Sequence, residues 1–508
     1  MAPTRSQIEA DVRQPQLQVE IRPAGSWIDV SSFVAGVQQD EATAGDVSGV
    51  AFGTSVGLRA DVEVDIGAHG YAAYLTPIWI NYGFNGSTKL RRYVGVIMRE
   101  RWDGRSGSWQ TRGVDALLEG TPIRSPLFRR RPIATAITLS SIEDPTNANY
   151  RGGLYNYICW QAGGRPWEQA ASYPDAPFYY AADQAPIAPE WSWIHAENAW
   201  EELHRLCQAA GGQVYQDNDG VLRYIDPLRL ILASPTYTYT DAVLTAAQRV
   251  SQNASGFEGV SRDTDLEHTV SAFTCTFIER NLDGTQVVYE DTTPRRIGAD
   301  GQANDVLTLD LDTQLPVYRV SRIELEAAHI RTGQKLTDSQ VTVAITATAA
   351  QRISVTITNT TNRPAQIRTI RVWGRPVVAG EEGSVTSTGS SSLASTRVLP
   401  LQSNVYIQSR EHAERLVQMA YDFYAEPRPI ITLRGCAYDP DRAIGERVAL
   451  TYAPWGYSAL ACRIVAKRPT NGRTMEVDLQ PISGLPIASN FFQFGVTYAG
   501  SDTRELAY

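Results

Sequence analysis

The sequence predicts a mainly β protein of several domains with α+β parts. Three observations carry this. The chain has 508 residues, and dividing by about 150 residues per domain suggests three or four domains. Short stretches of alternating apolar and polar residues recur along most of its length. Only two stretches show the 3.6-residue period of an amphipathic helix convincingly.

In chain order, Val62, Val64 and Ile66 alternate with Asp61, Glu63 and Asp65, the pattern of a half-buried strand. Residues 92–102 form a longer strand with Val94, Val96 and Met98 on one face. In 198–210, Trp200, Leu203, Leu206, Cys207 and Ala210 share a helical face. Asn198 caps that helix, with Glu201 placed to reach back, and Gly211–Gly212 stop it. Strand alternation returns at Phe273, Cys275 and Phe277, at Val341, Val343, Ile345 and Ala347, and at Ile353, Val355 and Ile357. The second helix spans 410–425, with Ser409 as cap, Ala413, Leu416, Val417, Ala420 and Tyr424 as stripe, and Pro427 as stop. Met475, Val477 and Leu479 alternate again, and Asn471-Gly472 between two such runs predicts a hairpin turn.

Pro-rich stretches at 122–132 and 174–189 mark joints. Residues 384–396 hold nine Ser or Thr in thirteen and no aromatic, which predicts a linker or mobile loop. The stretches YVGVIMRERWDGRSGSWQTRGVD and ACRIVAKRPTNGRTMEVDLQ echo each other as strand, basic edge, Gly turn and strand. Two similar barrels near the two ends would explain that echo, and so would chance, since hairpins look alike.

Composition excludes several classes. With 43% hydrophobic and 20% charged residues the chain is globular in type. No run of 18 apolar residues occurs, and the first residues lack the apolar core of a signal peptide. A net charge of −9 lacks the basic footprint of a nucleic-acid binder. Only Lys89, Lys335 and Lys467 are lysines, leaving 43 of the 46 basic residues as arginine. The five cysteines are odd in number, dispersed and without a CxxC, which argues against disulfides and zinc ribbons; four of them lie among apolar neighbours and read as buried free thiols made in a reducing place.

Candidate catalytic patterns fail on their context. Gly53-Thr54-Ser55-Val56-Gly57 fits the G-x-S-x-G elbow, but that elbow must enter a helix, and 58–66 read as strand. Asp217-Asn218-Asp219-Gly220 places Gly fourth and Leu228 twelfth, where a calcium loop needs Gly sixth and Glu twelfth. A hairpin turn fits better. No two of the six histidines stand at i, i+4 on one helix. Catalytic, metal-binding and cofactor-binding residues are therefore predicted to be absent. Trp160, Trp167, Trp191, Trp193 and Trp200 fall close together. They suit a core or an interface better than a glycan platform.

The C-terminal tail, residues 485–508, contains Phe491, Phe492, Phe494 and Val496. A free end rich in rings is unfavourable in water, so these residues are predicted to dock on a partner or on the chain's own last domain. Phe492, Phe494 and Val496 alternate, which suits addition as a strand.

Four stretches, in order, resemble the tail hub proteins of long-tailed bacteriophages. AWEELHRLCQAAGGQVYQDNDGVLRYIDP resembles the family's helix, glycine pair and Asp-x-Asp-Gly hairpin. LRADVEVDIG with LRRYVGVIMRERWDGRSGSWQTRGVDALLEG resembles the first hub barrel. ISVTITNTTNRPAQIRTIRVWGRP resembles the third domain, and VYIQSREHAERLVQMAYDFYAEPRPIITLRG with DPDRAIGERVALTY resembles the last. Glu446 stands where the family often has Asp.

The resemblance implies two hub-type β-barrels with intervening α+β and β-sandwich-like domains. It divides the chain into a first barrel domain (1–125), an α+β domain (126–240), a β-rich domain (241–380), a Ser-rich linker (381–400), a helix with the second barrel (401–484) and the docking tail (485–508). It also implies a non-enzymatic virion protein, similar to the baseplate hub of contractile-tailed phages. Such a protein forms a homotrimer at the tail tip and is assembled in the host cytoplasm. Its partners are the distal tail protein and tail tube above, and the tape measure protein and tail fibre or tip proteins below. DNA passes through its channel without sequence-specific binding, and no membrane insertion is expected. The rival readings are a tail-tip protein that binds or cleaves surface glycan, and an unrelated cytoplasmic β-rich scaffold.

Overall fold

The computed structural model describes residues 15–482 except 24–25, 43–54, 57–58, 66–74, 85–89, 104, 137–151, 173–175, 184, 186, 218, 227–233, 264–271, 303, 389–397, 402–403, 425–428, 438, 440–441, 443 and 471–473. The architecture is mainly β and multi-domain, as the sequence predicts.

The N-terminal sheet is antiparallel throughout and runs Ile28–Asp29, Pro15–Ile21, Thr76–Phe84, Leu90–Asp103, Ser106–Arg112, Arg59–Asp65, Val34–Ala42. It curves into a half-barrel. Val19 and Ile21 near one end share a core with Val62, Val64, Ile78, Ile80, Tyr93, Ile97 and Trp109. The predicted alternation of 61–65 is present, with Val62 facing Trp109 across the ladder. The long strand differs from expectation. Its core row is Tyr93 and Ile97 rather than the phase of Val96 and Met98, although Val96 is buried on the opposite side; the side chain of Val94 lies outside the described ones. A strand covered on both faces carries apolar residues in both phases, so alternation does not select its core face.

The second barrel is built around Tyr237, Tyr239, Ile431, Leu433, Val448, Leu450, Cys462, Ile464, Met475, Val477 and Leu479. Its strands run Tyr237–Thr240, Arg447–Tyr452, Tyr457–Thr470, Thr474–Pro481 and Ile430–Ala437. The kinked pair Ala254–Gly256 and Gly259–Asp263 joins the two ends of that series, pairing with Tyr237–Thr240 on one side and Ile430–Ala437 on the other. The barrel thus takes in 237–263, which the sequence assigns to earlier domains. Those strands are short, and their partners lie across a helix or far along the chain, so local pattern does not reveal them. Asn471-Gly472 lies outside the described residues, but Thr470 and Thr474 pair beside it as a hairpin requires.

A separate mixed sheet runs in the order Arg165–Pro166, Tyr179–Ala182, Val221–Ile225, Gln213–Gln216, Ser55–Val56. Helices Leu154–Gln161, Ala199–Ala210 and Arg410–Tyr424 contribute Leu154, Leu203, Leu206, Leu416 and Val417 to one core with it. Helix Arg410–Tyr424, grouped with the last barrel on sequence grounds, therefore belongs to this central core. Asn198 Oδ1 accepts from Trp200 N and Glu201 N at 3.0 and 3.2 Å, and Gly211 ends the helix at φ 70°. Ser409 Oγ accepts from His412 N at 3.2 Å, as a cap should.

The fourth unit is a sandwich. One sheet centres on the first half of Ala365–Thr388, flanked by Val317–His329 and by Gln286–Asp291 and Arg295–Ile297. The other is Val306–Asp312, Arg352–Asn359, Val341–Ala349. Ile353, Val355 and Ile357 are buried between them. The second half of Ala365–Thr388 leaves the sandwich, pairs with Ala272–Leu282 and packs on helix Arg410–Tyr424. Residues 381–388, predicted as linker, are therefore strand, because Thr386 and Ser387 gain ladder partners in Thr274 and Phe273.

Candidate functional site

The two barrels meet through one ladder. Glu41 pairs with Lys467 and Ala42 with Ala466, joining Val34–Ala42 to Tyr457–Thr470 in a single 14-stranded sheet. The segment 461–467 is buried on both faces. Cys462 and Ile464 fill the barrel, while Arg463 and Lys467 are also covered. A buried cation needs partners. Arg463 donates Nε and a terminal NH to Gln480 Oε1 at 2.9 and 2.6 Å. Lys467 Nζ donates to the Arg442 carbonyl oxygen at 2.8 Å.

Arg442 sits in the turn that closes this end of the barrel. Its guanidinium pairs with buried Asp439 at 3.2 Å and with Glu446, and lies 4.7 Å from the Tyr237 ring centre. Glu446 also accepts from the Thr236 hydroxyl. Gly445 has φ 81°, a left-handed conformation that a side chain would strain, and its N–H reaches Ile464 O at 2.8 Å. The turn, the barrel strand and the inter-barrel ladder thus form one hydrogen-bonded unit.

A second polar cluster ties 404–412 to the central core. Tyr406 donates to buried Glu202, and Arg205 donates to the same carboxylate at 3.1 Å. Burial raises the Glu202 carboxyl above its ordinary range, against the Tyr406 and Arg205 contacts. Asn404 donates to Arg205 O at 2.6 Å, and Gln408 accepts from Trp191 N at 3.1 Å. The His412 ring nitrogen meets Ala209 O at 2.6 Å, and burial lowers its pKa to about 4. His412 is therefore neutral near pH 7 and donates from Nε2.

Of the predicted docking residues, Phe491, Phe492, Phe494 and Val496 all lie outside the described residues. Ser55 is in the two-residue strand Ser55–Val56, and strand Arg59–Asp65 follows shortly after, so the elbow's helix does not form there. Asp217 Oδ1 accepts from Asp219 N at 3.0 Å and Val221 N at 2.9 Å, closing the hairpin turn with Gly220 at φ 79°. Among the described residues no three His, Cys, Asp or Glu side chains form a metal-binding group, and no helix is long and apolar enough to cross a membrane. All five cysteines are buried and free. Trp191 is buried against Tyr318 with ring centres 5.3 Å apart, Trp193 is half-buried beneath Arg280, and Trp167 remains 38% exposed. Sequence reasoning missed Lys467, Arg442 and Tyr406. The available signal was Lys467 itself, a rare lysine inside an apolar run.

No family model matches the chain, and no curated protein matches it. Solved structures do overlap it. A tail protein from Neisseria meningitidis MC58 is 10% identical, covering 92% of this chain and 97% of its own, with a TM-score of 0.44. The 43 kDa tail protein of prophage MuSo2 from Shewanella oneidensis is 11% identical over 92% and 99%, with a TM-score of 0.43. A prophage tail protein from Listeria monocytogenes EGD-e is 10% identical over 95% and 100%, with a TM-score of 0.41. These neighbours are tail proteins.

Proposed function

We propose that the chain is a structural tail hub protein of a phage virion, acting as a trimeric symmetry adapter without catalytic activity. One observation carries this reading. A half-barrel and a barrel with equivalent central hairpins, Leu90–Asp103/Ser106–Arg112 and Tyr457–Thr470/Thr474–Pro481, lie edge to edge in one sheet of a single chain. Three such chains arranged about a threefold axis present six barrel units in a ring. That ring meets a sixfold tube and distal tail protein on one side. The remaining domains keep threefold symmetry toward the tape measure and tip proteins on the other. The ring encloses the DNA channel and closes it before infection. In this reading the polar unit at Lys467 and Arg442 holds the angle between the paired barrels.

Mass in solution tests the proposal. Sedimentation of the full chain is expected to show a species of three times the monomer mass. A monomer at all concentrations, or a dimer, would overturn it. Electron microscopy of virions with the chain labelled is expected to place the label at the tail tip.

A further inference from the structure

The three-stranded sheet of the sandwich has two edges of opposite character. Val306–Asp312 forms one edge. There Asp312 accepts from Arg352 Nε at 2.7 Å and Asp310 accepts from the Ser354 hydroxyl at 2.6 Å. Charges along an edge oppose pairing with another strand. Val341–Ala349 forms the other edge and, among the described residues, pairs only with Arg352–Asn359. Residues 339–351 contain no charge and no proline. A register shift falls between Ile345 and Ala347, so the regular run is 341–345.

The register shows where this edge sends its backbone. Thr360 N–H donates to Gln340 O at 2.9 Å. Antiparallel pairs alternate between bonded and non-bonded, so Thr342 and Ala344 bond inward, to Thr358 and Thr356. The N–H and C=O groups of Val343 and Ile345 point out of the sheet. None of them has a backbone partner on that side among the described residues. The side chains repeat the pattern. Val343 and Ile345 continue the core row of Val355 and Ile357 out to the edge, where Ile345 is left 46% exposed. The core row therefore stops uncovered, beside an unused row of donors and acceptors.

We propose that this edge receives residues 491–497 of the chain as an added strand. The described chain ends at Ile482, and the 26 residues beyond it carry no charge from 483 to 501. Fully extended, they reach about 85 Å. Phe492, Phe494 and Val496 alternate with Gln493, Gly495 and Thr497. The edge alternates in the same way, Val341, Val343 and Ile345 with Thr342 and Ala344. Paired strands place like rows side by side. The rings then cover Val343 and Ile345 and extend the sandwich core, while the small and polar residues join the hydroxyl-bearing face. An uncharged edge leaves no charge unpaired when an uncharged strand covers it. The inference does not depend on the trimer.

Residue-resolved hydrogen–deuterium exchange on the full chain tests it. The amides of Val343 and Ile345 are expected to exchange slowly, as bonded amides do. Phe492→Ser with Phe494→Ser is expected to speed both by about tenfold or more, leaving the amides of 352–359 unchanged. Ala344→Lys, at an exposed position, is expected to do the same by guarding the edge. Rapid exchange of Val343 and Ile345 in the unaltered chain would overturn the inference. So would protection that survives the double substitution. A sedimentation measurement showing no trimer, with these amides still protected and released by the substitutions, supports the edge inference and counts against the hub reading alone.

Discussion

Lys467 Nζ donates to the carbonyl oxygen of Arg442 at 2.8 Å, so a lysine on the strand that joins the barrels holds the turn that closes one of them. The Arg442 side chain continues the link to Asp439, whose own side chain is 1% exposed. The relationship makes the joint a cooperative unit, because each buried polar group depends on the next.

Arg442→Ala removes the cation that faces buried Asp439 and Glu446. Breaking a buried ion pair by removing one member costs up to about 3–5 kcal/mol, less where other partners remain. Urea denaturation is expected to show a loss of that size. A loss below about 1 kcal/mol would mean that water reaches Asp439.

Leu203 is fully buried in the central core, whereas Trp200 on the same helix is half-buried at its margin. Leu203→Ala is expected to lower stability by about 2–5 kcal/mol. A loss under about 0.5 kcal/mol would place that helical face on the surface.

His412 gives stability a pH dependence of known sign. Burial lowers its pKa from 6.5 to about 4. Below pH 6.5 the unfolded chain takes up a proton that the folded chain refuses until about pH 4. Stability from this group is therefore full above pH 6.5 and falls as pH drops to 4. The whole step is roughly 3 kcal/mol. Glu202 acts oppositely: its raised pKa favours the folded state at low pH and that contribution fades as pH rises. The difference between His412→Gln and the unaltered chain isolates the histidine, and it is expected to shrink toward pH 4. A difference independent of pH would refute the assignment.

Under the proposed tail-hub function, Ser55→Ala is expected to leave virion infectivity unchanged, because strand Arg59–Asp65 stands where a nucleophile elbow needs its helix. Normal assembly with a large loss of infectivity would favour the hydrolase reading.

The sequence by itself determined the local elements. Helix Ala199–Ala210 begins at Asn198 and ends at Gly211, as its cap and stop residues dictate. Met475, Val477 and Leu479 point inward because alternation at period 2 forces one face inside. The Asp217–Gly220 turn follows from a carboxylate that bonds backbone N–H groups two and four residues on. These outcomes depend on residues within a few positions of one another. The predicted docking residues Phe491, Phe492, Phe494 and Val496 lie outside the described residues, so their role stands as a proposal.

Only the tertiary structure decided what is joined to what. Strands Tyr237–Thr240 and Ala254–Gly256 enter the second barrel through partners about two hundred residues away in sequence or across a helix, as Tyr237 with Val448 and Thr238 with Ala254. The core row of Leu90–Asp103 takes the phase of Tyr93 and Ile97 rather than that of Val96 and Met98, because Val96 is covered on the other face too. Lys467 is buried beside the Arg442 turn and the ladder to Glu41, partners that lie outside its own stretch of sequence. Burial is a property of what packs over a residue. Where the covering element is far along the chain, the residue's own neighbourhood contains no trace of it.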